Sequence, residues 1–270
     1  MPVASFLGKR NWGYDSVHKY APCKAYGSET ELINLIDEIH KQDMFVILDV
    51  IYNHFGPDGN YLYPLSRKFF SSEKLTPWGD SIDFRLREVR DYFVDNARYW
   101  LHNYRFDGLR FDAVEAIWDN TDEHIINEIC RTLRTEFINK REVLLTIENN
   151  SNDIKLLGPD KGSAQWDDDF HHSLHVSLTG ETDGYYIDFK DSYKEMELVL
   201  KQGFAYGNRL SKFWGNKVRG DVADKLPPYR FIHSDQNHDQ IGNRAFGERL
   251  YTLTSRETAE FSLSLTMLAP

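Results

Sequence analysis

Hydrophobic positions recur along this chain with two alternating periods. In "GSETELINLIDEIHKQDM", Leu32, Leu35, Ile36 and Ile39 fall on one helical face, and Ser28 and Glu31 are spaced as a capping box at its start. The run that follows, "FVILDVIY" from Phe45 to Tyr52, is short, β-branched and almost wholly apolar, the pattern of a parallel strand covered on both faces. Val89, Phe93, Ala97, Trp100 and Tyr104 then predict a second helix, and Leu109 to Val114 a strand. Ile125, Ile126, Ile129, Leu133 and Phe137 predict a third helix, followed by a strand over Glu142 to Asn149. Beyond it the pattern predicts a strand near Ser163 to Trp166, a helix around Tyr193 to Tyr206, a strand from Tyr229 to Asp235 and a last helix from about Arg256 to Leu268.

Repeated strand–helix units build either a doubly wound sheet or a (β/α)8 barrel. No GxGxxG or GxxxxGK[ST] follows any of the strands, so the phosphate-cradling signature of nucleotide folds is absent. Instead "LDVIYNH", "GLRFDAV", "LLTIENN" and "SDQNHDQIGN" place carboxylates, amides and imidazoles at strand ends. Barrel active sites gather at that C-terminal face, so the predicted fold class is α/β, a (β/α)8 TIM barrel.

Composition narrows the partners. With 270 residues, 41% of them hydrophobic, the chain has material for one large core. A net charge of -10 argues against nucleic acid and an anionic membrane, both of which need a basic footprint, and leaves neutral substrates open. Cys23 and Cys130 lie far apart with no metal-ligand spacing, which indicates neither a disulfide framework nor a zinc site and fits a reducing compartment. No basic and apolar leader follows Met1, and no apolar run is long enough to cross a bilayer, so the expected location is cytoplasmic. Nothing in the sequence points to a protein partner.

The candidate chemistry lies at the strand ends. Side chains alternate along a strand, so Arg110 and Asp112 share one face, with Arg110 beside Asp112 to hold it ionised. Converging strand ends would bring Asp112, Glu148 and Asp239 to one cleft. A low-pKa and a high-pKa carboxyl together suit glycoside hydrolysis, one attacking the anomeric carbon and the other protonating the leaving oxygen. Taken singly each has a plainer reading: Asp112 with Arg110 as a structural ion pair, Glu148 as an ordinary strand-end carboxylate, Asp239 as a turn residue before Gly242. Only the ordered set makes them catalytic. His54 and His238 are flanked by Asn53 and Asn237, which favours a polar cleft. His171, His172 and His175 lack a clear carboxylate partner for a metal, and "GPDGN" after Asn53 offers too few oxygens for calcium, so neither a metal nor another cofactor is expected. Trp12, Tyr14, Trp78, Trp118, Trp166, Tyr185 and Tyr186 fall in or near presumed loops and are candidates to stack on sugar rings, Trp118 and Trp12 foremost.

"DVIYNH", "GLRFDAVEA", "TIEN" and "QNHD" resemble, in order and approximate spacing, the four signature segments of the α-amylase family of glycoside hydrolases. "KRNWGYDSVHKYAPCKAYG", "NHFGPDGNYL", "WDDDFHHSLHVSLTGETDGYY" and "NHDQIGNRAFGERL" resemble the branch of that family that releases trehalose from maltooligosyl trehalose. The resemblance implies Asp112 as nucleophile, Glu148 as general acid and base, and Asp239 as the carboxylate that grips sugar hydroxyls in the transition state. It implies further that His54 and His238 bind the same sugar, that Arg110 orients Asp112 and that Asp49 supports the cluster. The expected reaction is retaining hydrolysis of the α-1,4 bond next to the terminal trehalose of maltooligosyl trehalose. A branching enzyme, an amylase and an inactive glucan-binding fragment are the alternatives. By the same resemblance residues 1–270 form a partial barrel in which "MPVASF" ends the second strand and strands three to seven follow. The first and eighth strands and the family's N-terminal and C-terminal β-domains would then be missing, and the isolated chain is expected to be aggregation-prone or poorly active.

Overall fold

A computed structural model describes all 270 residues, which divide into two compact units. The first comprises residues 1–149 and 156–163, the second 150–155 and 164–270.

The first unit opens with β1 (Ala4–Ser5) and β2 (His18–Pro22), followed by α1 (Glu29–His40), β3 (Ile47–Val50) and the short α2 (Leu62–Leu65). An antiparallel hairpin, β4 (Phe70–Thr76) and β5 (Gly79–Ile82), precedes α3 (Arg87–Asn103), β6 (Gly108–Phe111), α4 (Ile125–Phe137) and β7 (Leu144–Ile147). β3, β6 and β7 pair in parallel, with Asp49 opposite Arg110, Arg110 opposite Thr146 and Phe111 opposite Ile147. Glycine begins β6 because the strands close tightly there: a Cβ on Gly108 would lie 2.1 Å from the Leu144 carbonyl oxygen. Helix α3 packs Phe93 into an aromatic cluster with Tyr52, Phe84 and Phe55, at ring separations of 5.0, 5.3 and 6.3 Å. Helix α4 buries Ile125, Ile126, Ile129, Leu133 and Phe137, the apolar face read from the sequence.

In the second unit β8 (Ala164–Trp166) is followed by α5 (Asp168–Thr179) and α6 (Ser192–Gln202). A hairpin of β9 (Arg209–Ser211) and β10 (Lys217–Arg219) leads to β11 (Phe231–Ile232), which pairs in parallel with β8. Three helices close the chain: α7 (His238–Gly242), α8 (Leu250–Leu253) and α9 (Arg256–Leu268). Phe170, Leu174, Phe189, Val199 and Tyr206 form its core. Beside that core runs a buried ion pair, Arg219 to Asp169 at 2.8 Å, with Asp169 also accepting from the Tyr206 backbone N–H at 2.8 Å. Asn152 adds a third donor to the same carboxylate, so the buried charge is well partnered.

The predicted order of strands and helices holds, with corrections. Each parallel strand is shorter than its apolar run: Phe45–Tyr52 contracts to Ile47–Val50, Glu142–Asn149 to Leu144–Ile147, and Tyr229–Asp235 to Phe231–Ile232. After β3 the run stays apolar because Ile51 and Tyr52 are buried without being paired, whereas Phe45 before β3 and Tyr229 before β11 are exposed. The strand expected over Leu109 to Val114 ends at Phe111, and Ala113 turns left-handed at φ 38°. "MPVASF" does not supply a parallel strand: Ala4–Ser5 pairs antiparallel with β2. The periodicity predicts neither the α5 helix nor the two hairpins. No helix is long and apolar enough to cross a membrane.

Candidate active site

The parallel register of the first unit assembles a cluster of charges. Asp49 sits in β3 directly beside Arg110 in β6, while Asp112 and Glu148 each follow the last paired residues, Phe111 and Ile147. The Arg110 guanidinium joins all three carboxylates: Nη1 donates to Asp49 at 2.7 Å and to Asp112 at 2.8 Å, and Nη2 reaches Glu148 at 2.7 Å. Asp112 also accepts from Asn53 Nδ2 at 3.1 Å, and Asp49 from the Tyr14 hydroxyl at 2.8 Å. The left-handed turn at Ala113 aims its backbone N–H at Glu148 Oε2, 2.9 Å away. A second backbone bond, from Val114 N–H to the Glu148 carbonyl, fixes that turn.

Burial raises the Asp112 carboxyl above its ordinary range; Arg110 pulls it back, and Asp49 pushes it up again. The arginine opposes that rise while it is shared among three carboxylates in a nearly dry site. Replacing Arg110 by Met should cost about 3–5 kcal/mol of stability, the penalty for stranding buried charge. The deficit measured by denaturant unfolding should shrink as pH falls and the carboxylates protonate; a pH-independent loss would trace it to packing alone.

His54 is buried, stacked on the Trp78 indole with ring centres 3.7 Å apart, and its Nε2 lies 3.0 Å from the Tyr14 carbonyl. Its other nitrogen bonds Asn53, so the imidazole, the amide and Asp112 form one chain. Burial, and then the neighbouring Lys19, push the imidazole down to about 3. It is therefore neutral at working pH. Trp118 packs beneath the Arg85 guanidinium, 5.4 Å from its ring centre. A cavity of about 380 Å³ lies between His54, Tyr63, Trp78 and Asp80.

His238 and Asp239 belong to the second unit, at the start of α7, which Asn237 caps together with Gln240. The His238 Nε2 stands 3.7 Å from Asp239 Oδ1. Close by in charge terms is Asp168, whose carboxyl burial pushes up to about 7 and on which Asp239 also acts. Tyr185 feels both carboxylates and bonds Asn243. Of the three histidines on α5, His171 meets the Asp235 carbonyl at 2.6 Å and the Tyr186 hydroxyl at 2.8 Å. His175 meets Glu181 at 2.8 Å, and His172 stacks on Tyr185 at 4.7 Å.

Sequence reasoning passed over Asn53 as a ligand of Asp112, Tyr14 as a ligand of Asp49, and Asp168. The signal for Asn53 was its place one residue before His54 at a strand end. Nothing local marked Tyr14 or Asp168, whose neighbours are distant in sequence.

Residues 5–80 match the family model of the alpha amylase catalytic domain. The α-amylase family is thus the family that this part of the chain matches. It is 39% identical, over its whole length, to the malto-oligosyltrehalose trehalohydrolase of Saccharolobus solfataricus, covering 48% of that protein. It is 37% identical to the malto-oligosyltrehalose trehalohydrolase of Deinococcus radiodurans, again over its whole length and 45% of the relative. A crystal structure from Salmonella typhimurium, described as an alpha amylase, superposes on all of the chain with a TM-score of 0.96 at 42% identity, and the chain covers 47% of it. The chain spans about half the length of the curated relatives it matches.

Proposed function

We propose that this chain carries catalytic groups of a retaining glycoside hydrolase that cleaves the α-1,4 bond beside the terminal trehalose of maltooligosyl trehalose. The observation that carries the reading is the single guanidinium of Arg110 bonded to both Asp112 and Glu148. Two carboxyls sharing one guanidinium favour the close spacing of a retaining pair, about 5–5.5 Å, over the 6.5–9.5 Å that an inverting pair needs to admit water. Identity to trehalohydrolases over the whole chain supports the choice of substrate within the family.

In this mechanism Asp112 attacks the anomeric carbon while Glu148 gives its proton to the departing oxygen, releasing trehalose and leaving a glucan ester on Asp112. Glu148, now a base, takes a proton from water, whose oxygen displaces Asp112 and restores both groups. To Asp239 we assign the grip on sugar hydroxyls that strengthens in the transition state, to His54 and His238 contacts to the same sugar, and to Trp118 a stacking face. Arg110 and Asp49 hold Asp112 in line. We read the parallel strands and following helices as part of a (β/α)8 barrel, and the protein as cytoplasmic.

The test is incubation of the purified full-length gene product with maltooligosyl trehalose and, separately, with plain maltooligosaccharide. Trehalose from the first and slower shortening of the second supports the reading. Branched glucan, or shortening of both at equal rates, replaces it with a branching enzyme or an amylase.

A further inference from the structure

Lys19, in β2, is 2% exposed and forms no ion pair. Its ammonium is nevertheless fully engaged. Nζ donates to the Ser16 carbonyl at 3.1 Å and to the Ser16 hydroxyl at 2.9 Å, and it stands 4.8 Å over the centre of the Phe55 ring. Two acceptors and one aromatic face account for the three N–H bonds of a protonated lysine. The main chain is clamped at the same residue: the Lys19 carbonyl accepts from Asn96 at 2.8 Å and from the Trp100 indole at 3.0 Å. Tyr52 in turn donates to Asn96 at 2.8 Å, which fixes α3 against the end of β3.

The titratable groups facing Lys19 can be named element by element. Asp15 lies on the loop before β2, and Asp49 in β3 lines the same small cavity. Tyr52 and His54 follow β3, and Asp112 follows β6. From α3 come only the neutral Asn96 and Trp100. Burial pushes the lysine down to about 7, against the pull of Asp112 and Asp15, so below that pH the fold holds an ammonium in its core at a cost in stability. A methionine of similar length would avoid the cost.

Asp49, which lines one small cavity with Lys19, shares the Arg110 guanidinium with Asp112 and Glu148, an excess of carboxylate over cation in a nearly dry cluster. Retaining hydrolysis requires that such a centre retain one proton, on Glu148 and never on Asp112. We propose that Lys19 is a positioning residue for the reaction: its buried ammonium is the second cation of the centre and keeps Asp112 ionised, so that the retained proton stays on Glu148. The inference rests on reading Asp112 as the nucleophile.

The experiment follows kcat/KM on maltooligosyl trehalose against pH in the full-length gene product, for the native protein, Lys19→Met and Lys19→Gln. Activity falls in acid as Asp112 takes up a proton. Removing a nearby cation makes that uptake easier, so the acid limb should move to higher pH by about half a unit to one unit. A folded variant whose acid limb stays in place overturns the proposal. A second measurement does not depend on either variant folding. With ¹³C-labelled lysine, the Lys19 titration is compared between the native protein and Asp112→Asn; coupling is reciprocal, so losing the Asp112 charge should lower the pH at which Lys19 titrates. An unchanged Lys19 titration overturns the proposal. If the native protein releases no trehalose, the functional reading fails, while the titration still decides whether Lys19 and Asp112 are coupled.

Discussion

Asp112→Asn is expected to lower kcat on maltooligosyl trehalose by about 10⁴-fold or more, while glucan binding survives. The amide keeps the size of the carboxyl but has no charged oxygen to form the glycosyl ester. Its fit is imperfect. Arg110 Nη1 and Asn53 Nδ2 both donate to the native carboxylate, at 2.8 and 3.1 Å, and an amide offers an oxygen to one while its own N–H₂ confronts the other. That clash would cost about 1–3 kcal/mol, offset in part because one buried charge disappears. The variant should therefore stay folded with a modestly lower melting temperature. Binding of a maltooligosaccharide, followed by calorimetry, should change by less than about tenfold, since a ground-state sugar meets the same surface. More than about 1% of native turnover in a preparation free of native enzyme would remove Asp112 from the nucleophile's role.

How much of this was legible beforehand depended on whether a signal was local. Helix α1 was readable to its cap: Ser28 accepts from the Glu31 N–H at 3.2 Å and Glu31 accepts from the Ser28 N–H at 2.8 Å, an exchange confined to four residues. Helix α5 was not, because His171, His172, Ser173 and His175 are buried on it and interrupt the apolar stripe. Histidine partners such as the Asp235 carbonyl, the Tyr186 hydroxyl and Glu181 make that burial tolerable, and only the fold supplies them. The hairpin of β4 and β5 escaped because its first strand is mostly exposed and carries no clear alternation. At the site, the pairing of Arg110 with Asp112 could be read from their spacing in the chain. The sharing of Arg110 with Asp49 and Glu148 could not, since it depends on the register of three strands. Lys19 gave no sign at all: in sequence it is one charged residue among "HKYAP", with nothing to show that the strand turns it inward.

Glu148→Gln separates the acid step from the displacement step. In the native cluster Glu148 Oε2 accepts from the Ala113 N–H at 2.9 Å and from Arg110 Nη2 at 2.7 Å. A glutamine can present its oxygen to the same two donors, so the turn at Ala113 and the position of Asp112 should persist. What is lost is the proton. A glucan leaving group is a poor one until it is protonated, so kcat/KM on maltooligosyl trehalose should fall by about 10²- to 10⁴-fold. An aryl α-glucoside departs as a stabilised phenolate and scarcely needs the acid in the first step. Its burst of phenol should therefore remain near the native rate, while turnover slows because Glu148 is also the base that activates water. A rapid burst followed by slow turnover is thus the signature of this residue in both roles. Equal losses on the two substrates, burst included, would mean that Glu148 matters only for holding the Ala113 turn and Arg110 in place.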